Sequence, residues 1–226
     1  MKLIFLNAIN TVIDLLFRNR KLYLTTSLQF RKRSTSFAKN SFDYVRLSTL
    51  EILNDEVKER KVEGSIAELG VYKGDFAQHL NFLFPERKLY LFDTFEGFHP
   101  RDRALEKKLK FSGADQDFSD TSVNYVISKM PYPEQCVVKK GYFPETANGL
   151  DETFAIVSID TDLYEPIYEG LKYFYPRLSV GGYILVHDYN NDLYKGAKQA
   201  VRDFCLKNGV PYVPVPDSAG SVIISR

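Results

Sequence analysis

Residues 66–74 read Ile-Ala-Glu-Leu-Gly-Val-Tyr-Lys-Gly, and Asp93 closes the strand-like run Lys88-Leu-Tyr-Leu-Phe92. A glycine-bearing strand-to-helix turn, paired with an acid one strand later, is what an adenosyl group needs. Gly70 lets the backbone approach a ligand with no Cβ in the way. Gly74 opens the next helix, whose free amides face the turn. Asp93, at the carboxyl end of the second strand, can accept both hydroxyls of a ribose. The spacing Gly70-x-x-x-Gly74 lacks the close glycine pair that cradles a pyrophosphate, so a cofactor without phosphates is favoured over NAD. Glu68 beside the turn sharpens this, because its charge repels phosphate and attracts the amine of a methionyl group. S-adenosylmethionine meets both conditions.

Methyl transfer from that cofactor to a hydroxyl requires oxygen, methyl and sulfur in line, and a means of removing the hydroxyl proton. The fourth and fifth strand-like runs end in Asp160-Thr-Asp162 and His187-Asp188-Tyr189-Asn190. Such ends lie side by side at the carboxyl edge of a parallel sheet, the usual ligand crevice. Asp160 and Asp188 placed there repel each other, and a divalent cation relieves the repulsion while lowering the pKa of a bound hydroxyl. His187 has three readings: a base, a ligand for a softer metal than magnesium, or an outer residue. For Asp162 a second reading is open, as cap of the following helix with Glu165 completing a capping box.

The elements that must position these groups follow from periodicity. Phe42, Val45, Leu50, Leu53 and Val57 recur at helical spacing over 42–60, and Gly64 breaks the pattern. Strands are expected at 66–69, 88–92, 136–140, 154–159 and 183–186, with Gly181-Gly182 before the fifth. Two short strand-like pieces, 211–215 and 221–225, flank Asp217-Ser-Ala-Gly220 as a hairpin. Helices fall at 74–83, at 121–130 with Asp120 as cap, from near Pro166, and at 195–207. The polar stretch 96–120 reads as a long loop, a lid or binding segment. Strand–helix alternation ending in a hairpin predicts an α/β fold: a mostly parallel, Rossmann-like seven-stranded sheet with one antiparallel edge strand and helices on both faces.

Composition sets bounds on function. The 226 residues are 44% apolar and 26% charged with net charge +1, so nothing points to nucleic acid. Cys136 and Cys205 form no Cys-x-x-Cys pair, which makes the cytoplasm the default compartment. Residues 1–17 are apolar but interrupted by Asn7, Asn10 and Asp14, too short and polar for a membrane span. A basic stretch follows (Arg18, Arg20, Lys21, Arg31 to Arg33). Residues 1–41 therefore read as an arm preceding a 42–226 catalytic domain. Packing of the arm on its own domain or on a second subunit, giving a homo-oligomer, is preferred to peripheral docking on an anionic membrane.

Several separate segments resemble the macrocin O-methyltransferase family. They are Ala67-Glu-Leu-Gly-Val-Tyr-Lys-Gly74, Leu91-Phe-Asp-Thr-Phe-Glu-Gly97, Lys140-Gly-Tyr-Phe-Pro-Glu-Thr146, Ser158-Ile-Asp-Thr-Asp-Leu-Tyr-Glu165 and Tyr175-Pro-Arg-Leu-Ser-Val-Gly-Gly182. The resemblance runs from about residue 42 to the C-terminus. It implies a class I S-adenosylmethionine-dependent enzyme that methylates a hydroxyl of a sugar or other small acceptor, with a divalent metal. By the same resemblance Glu68, Gly70, Tyr72 and Gly74 form the cofactor turn, and Asp93 with Thr94 the ribose end. Gly141, Tyr142 and Phe143 would lie against adenine, though the two rings serve equally well as core aromatics. Asp160, His187 and Asp188 match the metal-holding positions, with Asp160 and His187 also serving the chemistry. The family usually offers an acidic pair where this chain has His-Asp, so magnesium is expected with a softer metal as alternative. Two other functions compete: a nicotinamide-dependent oxidoreductase, which lacks its glycine turn here, and a non-catalytic cofactor-binding scaffold.

Overall fold

The fully apolar run at 154–159 needs cover on both faces, and the sheet that provides it is built outward from there. A computed structural model describes residues 2–16 and 43–226. The strands are β1 (Ser65–Leu69), β2 (Leu89–Asp93), β3 (Cys136–Lys140), β4 (Phe154–Ile159), β5 (Leu178–Val186), β6 (Val213–Pro214) and β7 (Val222–Ser225), in the order β3-β2-β1-β4-β5-β7-β6. The first five pair in parallel; β7 runs antiparallel to both β5 and β6. The reversed strand is thus next to the edge, which the two-residue β6 closes.

Helices are α1 (Lys2–Leu16), α2 (Tyr44–Glu59), α3 (Ala77–Leu83), α4 (Pro100–Lys108), α5 (Val123–Ser128), α6 (Tyr164–Phe174) and α7 (Lys195–Asn208). Two compact units are present, Met1–Asn40 and Ser41–Arg226. In the first, α1 exposes Phe5, Val12, Leu15 and Leu16. The basic stretch from Arg18 to Arg33 lies outside the described residues. No helix of the described residues is long and apolar enough to cross a membrane.

In the second unit, alternate strand residues face opposite layers. Ala67, Leu69, Phe92, Val157, Ile159 and Val186 cluster with Ile167, Leu171 and Phe174 of α6 and Val201 and Phe204 of α7. Ile66, Leu91 and Ile156 between them are equally buried, as are Leu50, Leu53 and Val57 of α2 and Leu80 of α3. The topological reversal falls between β1 and β4, and the crevice opens at their carboxyl ends.

Several expectations change in detail. The stretch 96–120 contains α4, because Pro100 suits a first helical turn and the His99 imidazole accepts from Arg101 N. Ser122, not Asp120, caps α5 by accepting from Tyr125 N. Asp120 instead pairs with Lys73 and the Tyr72 hydroxyl. β5 starts at Leu178, so Gly181 and Gly182 lie within it where the register with β4 shifts. Asp162 caps nothing: Leu163 is the N-cap of α6 and no side chain of that residue bonds the first turn.

Gly170 sets the approach of α6 to the sheet, since an added Cβ would meet Leu69 Cδ2 at 2.8 Å and Ile159 Cδ1 at 3.2 Å. Gly170→Leu should destabilise the protein by about 1–3 kcal/mol in urea unfolding, the cost of overpacking a filled layer.

Candidate active site

The ends of β1, β2, β4 and β5 converge on one cavity of about 440 Å³, within the roughly 300–1,000 Å³ typical of small-molecule sites. Tyr72, Phe95, Asp162 and Asp188, one just beyond each of these strands, have φ between 48° and 61°. Non-glycine residues held there are strained, and such strain concentrates at functional edges.

The first wall is the β1 turn. Gly70 has φ +86°, and a Cβ on it would lie 2.0 Å from the Asp160 carbonyl oxygen. Its missing Cβ therefore makes room for the backbone leaving β4, while Gly70 itself lines the cavity. Asp160 N donates to Leu69 O at 2.8 Å, which holds the two strand ends together. Glu68 is 1% exposed, and its Oε2 has no hydrogen-bond partner among the described residues. Burial raises its pKa well above the carboxylate range; the Arg46 charge opposes this and the Asp160 and Asp93 charges add to it. Gly74 does not line the cavity, and packs against Val126 and Met130.

Asp93 is engaged with the backbone. Its Oδ2 accepts from Val71 N (2.6 Å) and Tyr72 N (2.8 Å), and Oδ1 accepts from Phe95 N (2.6 Å). Three of about four acceptor sites on a carboxylate are thus occupied, which leaves room for one further donor, not two. Thr94 Oγ1 donates to Gly97 O and shapes the same turn. Beyond β3, Gly141, Tyr142 and Phe143 all line the cavity. Phe143 is 5% exposed and stacks on Phe174 while meeting Phe92 edge-on, so its ring belongs to the core. The Tyr142 ring lies tilted by 38° against His99, centroids 4.2 Å apart, and its hydroxyl donates to Asp102 of α4.

The opposite wall is acidic. Ile159 pairs with Val186, so Asp160 and His187 emerge side by side. His187 Nδ1 lies 3.1 Å from Asp160 Oδ1 and 2.8 Å from Asp188 Oδ2. Asp188 Oδ1 accepts from Asn191 Nδ2 at 2.7 Å. One ligand atom from each of Asp160, His187 and Asp188 lies within 4.8 Å of the others. Burial disfavours a charged His187, but the Asp160 charge and hydrogen bonds to Asp160 and Asp188 outweigh it and raise its pKa to about 10. Burial would raise Asp160, yet the Arg46 and His187 charges hold it well below the usual range. Asp162 is pushed upward by burial, then by the charges of Asp188 and Asp160.

Two residues of this site escape a reading of motifs. Arg46 of α2, 5% exposed, donates from NH1 to Asp160 Oδ2 at 2.9 Å and lies 3.9 Å over the Phe76 ring. The Asp43 cap, which accepts from Val45 N and Arg46 N, fixes the turn that presents it. A signal existed: Arg46 falls in line with Leu50, Leu53 and Val57 on the apolar stripe of its helix, where a charge needs a buried partner. Glu106 of α4 is 1% exposed and accepts from Tyr164 N at 3.0 Å and Ser112 Oγ at 3.1 Å, and also bonds Gly196 N. One carboxylate thereby serves the starts of α6 and α7. No local pattern announces it, because α4 itself was not legible.

Sheet order, crevice and strand-end acids define a class I methyltransferase. The family model described as Macrocin-O-methyltransferase (TylF) matches residues 20–215, and the chain belongs to that family. It is an S-adenosylmethionine-dependent O-methyltransferase. A Streptomyces olivaceus relative, the 8-demethyl-8-(2,3-dimethoxy-alpha-L-rhamnosyl)-tetracenomycin-C 4'-O-methyltransferase, is 25% identical over 194 residues, covering 80% of this chain and 72% of its own. The mycinamicin III 3''-O-methyltransferase of Micromonospora griseorubida is 25% identical over 179 residues, 73% and 69% of the two chains. The solved O-methyltransferase NovP shares the fold with TM-score 0.65 and 22% identity, over 80% of this chain and 79% of its own.

Gly70→Ala should lower stability by about 3 kcal/mol or more in denaturant unfolding without any cofactor, since the clash is with the backbone at Asp160. A glycine needed only for ligand approach would leave the unliganded protein as stable as the parent.

Proposed function

We propose that this enzyme transfers the methyl group of S-adenosylmethionine to a hydroxyl of a sugar or sugar-bearing small molecule, assisted by a divalent metal. The observation that carries this reading is a single cavity holding both the unpartnered, buried Glu68 oxygen and the Asp160–His187–Asp188 cluster.

The residues fit the cofactor. Glu68 Oε2 is buried without a hydrogen-bond donor, and the ammonium of the methionyl group would supply one. Asp93 keeps room for one ribose hydroxyl, while Tyr142 with His99 offers an aromatic face to the adenine. They fit a metal too, since three donors within 4.8 Å can share one ion, and two carboxylates with one imidazole suit manganese or iron as well as magnesium. When bound, the cofactor supplies the methyl group, and the ion would make the acceptor hydroxyl more acidic.

The remaining work falls to side chains. Asp160 and Asp188 orient the reacting end of the acceptor. His187, gripped through Nδ1 by both carboxylates, serves as ligand or orienting cation rather than as base. Asp162 lines the cavity, caps no helix and stands beside Asp188, which makes it the better candidate to receive the hydroxyl proton. Phe98, Phe118 and Tyr194 pack edge to face next to this centre, and the Tyr194 hydroxyl donates to Gln116. Apolar ring faces with polar handles at their rim suit a pyranose. The relatives' sugar-linked acceptors agree with that choice.

Calorimetry should find S-adenosylmethionine binding and no NAD binding, with Glu68→Gln weakening the former about tenfold or more, the size of a charged hydrogen bond. Parent-like affinity in that variant would remove Glu68 from the cofactor site. With a panel of glycosylated acceptors and radiolabelled cofactor, a chelator should suppress turnover while leaving the cofactor bound. Asp160→Asn and Asp188→Asn should each abolish the response to added metal. Full parent activity in excess chelator would overturn the metal-assisted reading.

A further inference from the structure

Asp160 is shared. Its Oδ1 faces His187 Nδ1 at 3.1 Å, whereas its Oδ2 is taken by Arg46 at 2.9 Å. Arg46 reaches it from outside the strand-end loops, from the first turn of α2, and cannot retreat easily. Its guanidinium lies on Phe76, NH2 is 3.4 Å from Ser158 Oγ, and only 5% of the residue is exposed. A guanidinium is always charged and is held as a planar fork, so this cation is permanent.

The cluster therefore contains its own counter-charge. Two acids that would otherwise require a cation already have a fixed one on the Asp160 side, bonded to the oxygen turned away from His187. We propose that Arg46 is a built-in competitor for Asp160, leaving only the His187-facing oxygen for an ion and setting the affinity of the Asp160–His187–Asp188 centre for divalent ions low. The role goes beyond holding Asp160 in place, because positioning alone predicts weaker metal binding on removal of Arg46, and competition predicts tighter binding. Removing a fixed positive charge beside the centre should tighten binding of a doubly charged ion by about tenfold or more.

The inference rests on the metal reading of this centre, and the test separates the two. Manganese(II) alone is titrated into the full chain, with free ion read by electron paramagnetic resonance and S-adenosylmethionine affinity measured in parallel by calorimetry. Arg46→Met should bind manganese(II) about tenfold or more tightly than the parent. Arg46→Lys, which keeps the charge, should stay within about threefold of the parent. Asp188→Asn should lose the ion in either background. Arg46→Gln is the milder neutral variant should the methionine fail to fold, and its expected result is the same tightening. If Asp188→Asn abolishes binding but the neutral variants bind like or more weakly than the parent, the competitor role is overturned and the metal centre stands. If Asp188→Asn binds like the parent, or no variant binds the ion, both are overturned. Loss of cofactor affinity in the neutral variants, without tighter manganese(II) binding, would make Arg46 a cofactor contact and overturn the inference as well.

Discussion

Asp160 and Asp188 come together because β4 and β5 are parallel neighbours in register, and the chain leaves both strands at the same edge. Parallel geometry that builds a crevice thus also concentrates like charge in a partly buried place, where repulsion is not screened. What surrounds the pair follows from that. Arg46 is drawn in on one side and His187 lies between the carboxylates. Asn191 donates to the remaining oxygen of Asp188. Burial and the charges of Asp188 and Asp160 raise the pKa of Asp162 against the opposing charge of His187. The β1 turn is bound into the same arrangement through Gly70, whose missing Cβ lets the Asp160 backbone pass at contact distance.

A second carboxylate organises the cavity from above. Glu106 sits on α4 yet bonds the first turns of α6 and α7, the helices that follow the two acidic loops. Helix starts present unpaired amides and a partial positive charge, so one buried anion can satisfy two of them. The segment contributing Phe98, His99, Asp102, Gln116 and Phe118 to the cavity is consequently anchored to the loops carrying Asp160 and Asp188. The two flanks of the cavity are linked by this segment through packed contacts: Tyr142 with His99 and Asp102 on one flank, Tyr194 with Phe98 and Gln116 on the other.

Much of this was legible in local pattern. Apolar runs located five parallel strands, the helix expected over 195–207 is α7, and the hairpin over 217–220 returned β7 to the sheet. The acids at the ends of β4 and β5 could be placed at one edge because strand alternation with helices leaves few topologies. The segment 96–120 misled because α4 is polar on most of its surface, with Asp102 and Glu106 as its buried residues. A helix held by buried carboxylates has no apolar stripe to reveal it.

The sequence by itself determined the class of fold, the glycine turn beside an acid, and the strand-end positions of Asp160, His187 and Asp188. These are properties of short windows, where side-chain period and backbone freedom are written in consecutive residues. Only the tertiary structure decided the partners. Arg46 meets Asp160 across 114 residues of chain, and Glu106 meets Tyr164 across 58. Asp93 turned out to be bonded to backbone amides, and Phe143 to be buried among core rings. A charge records in its own position that it needs compensation when buried, but not which distant group supplies it. That choice is made when the sheet brings loops and helices together, because the desolvation cost of each group depends on every neighbour it then acquires.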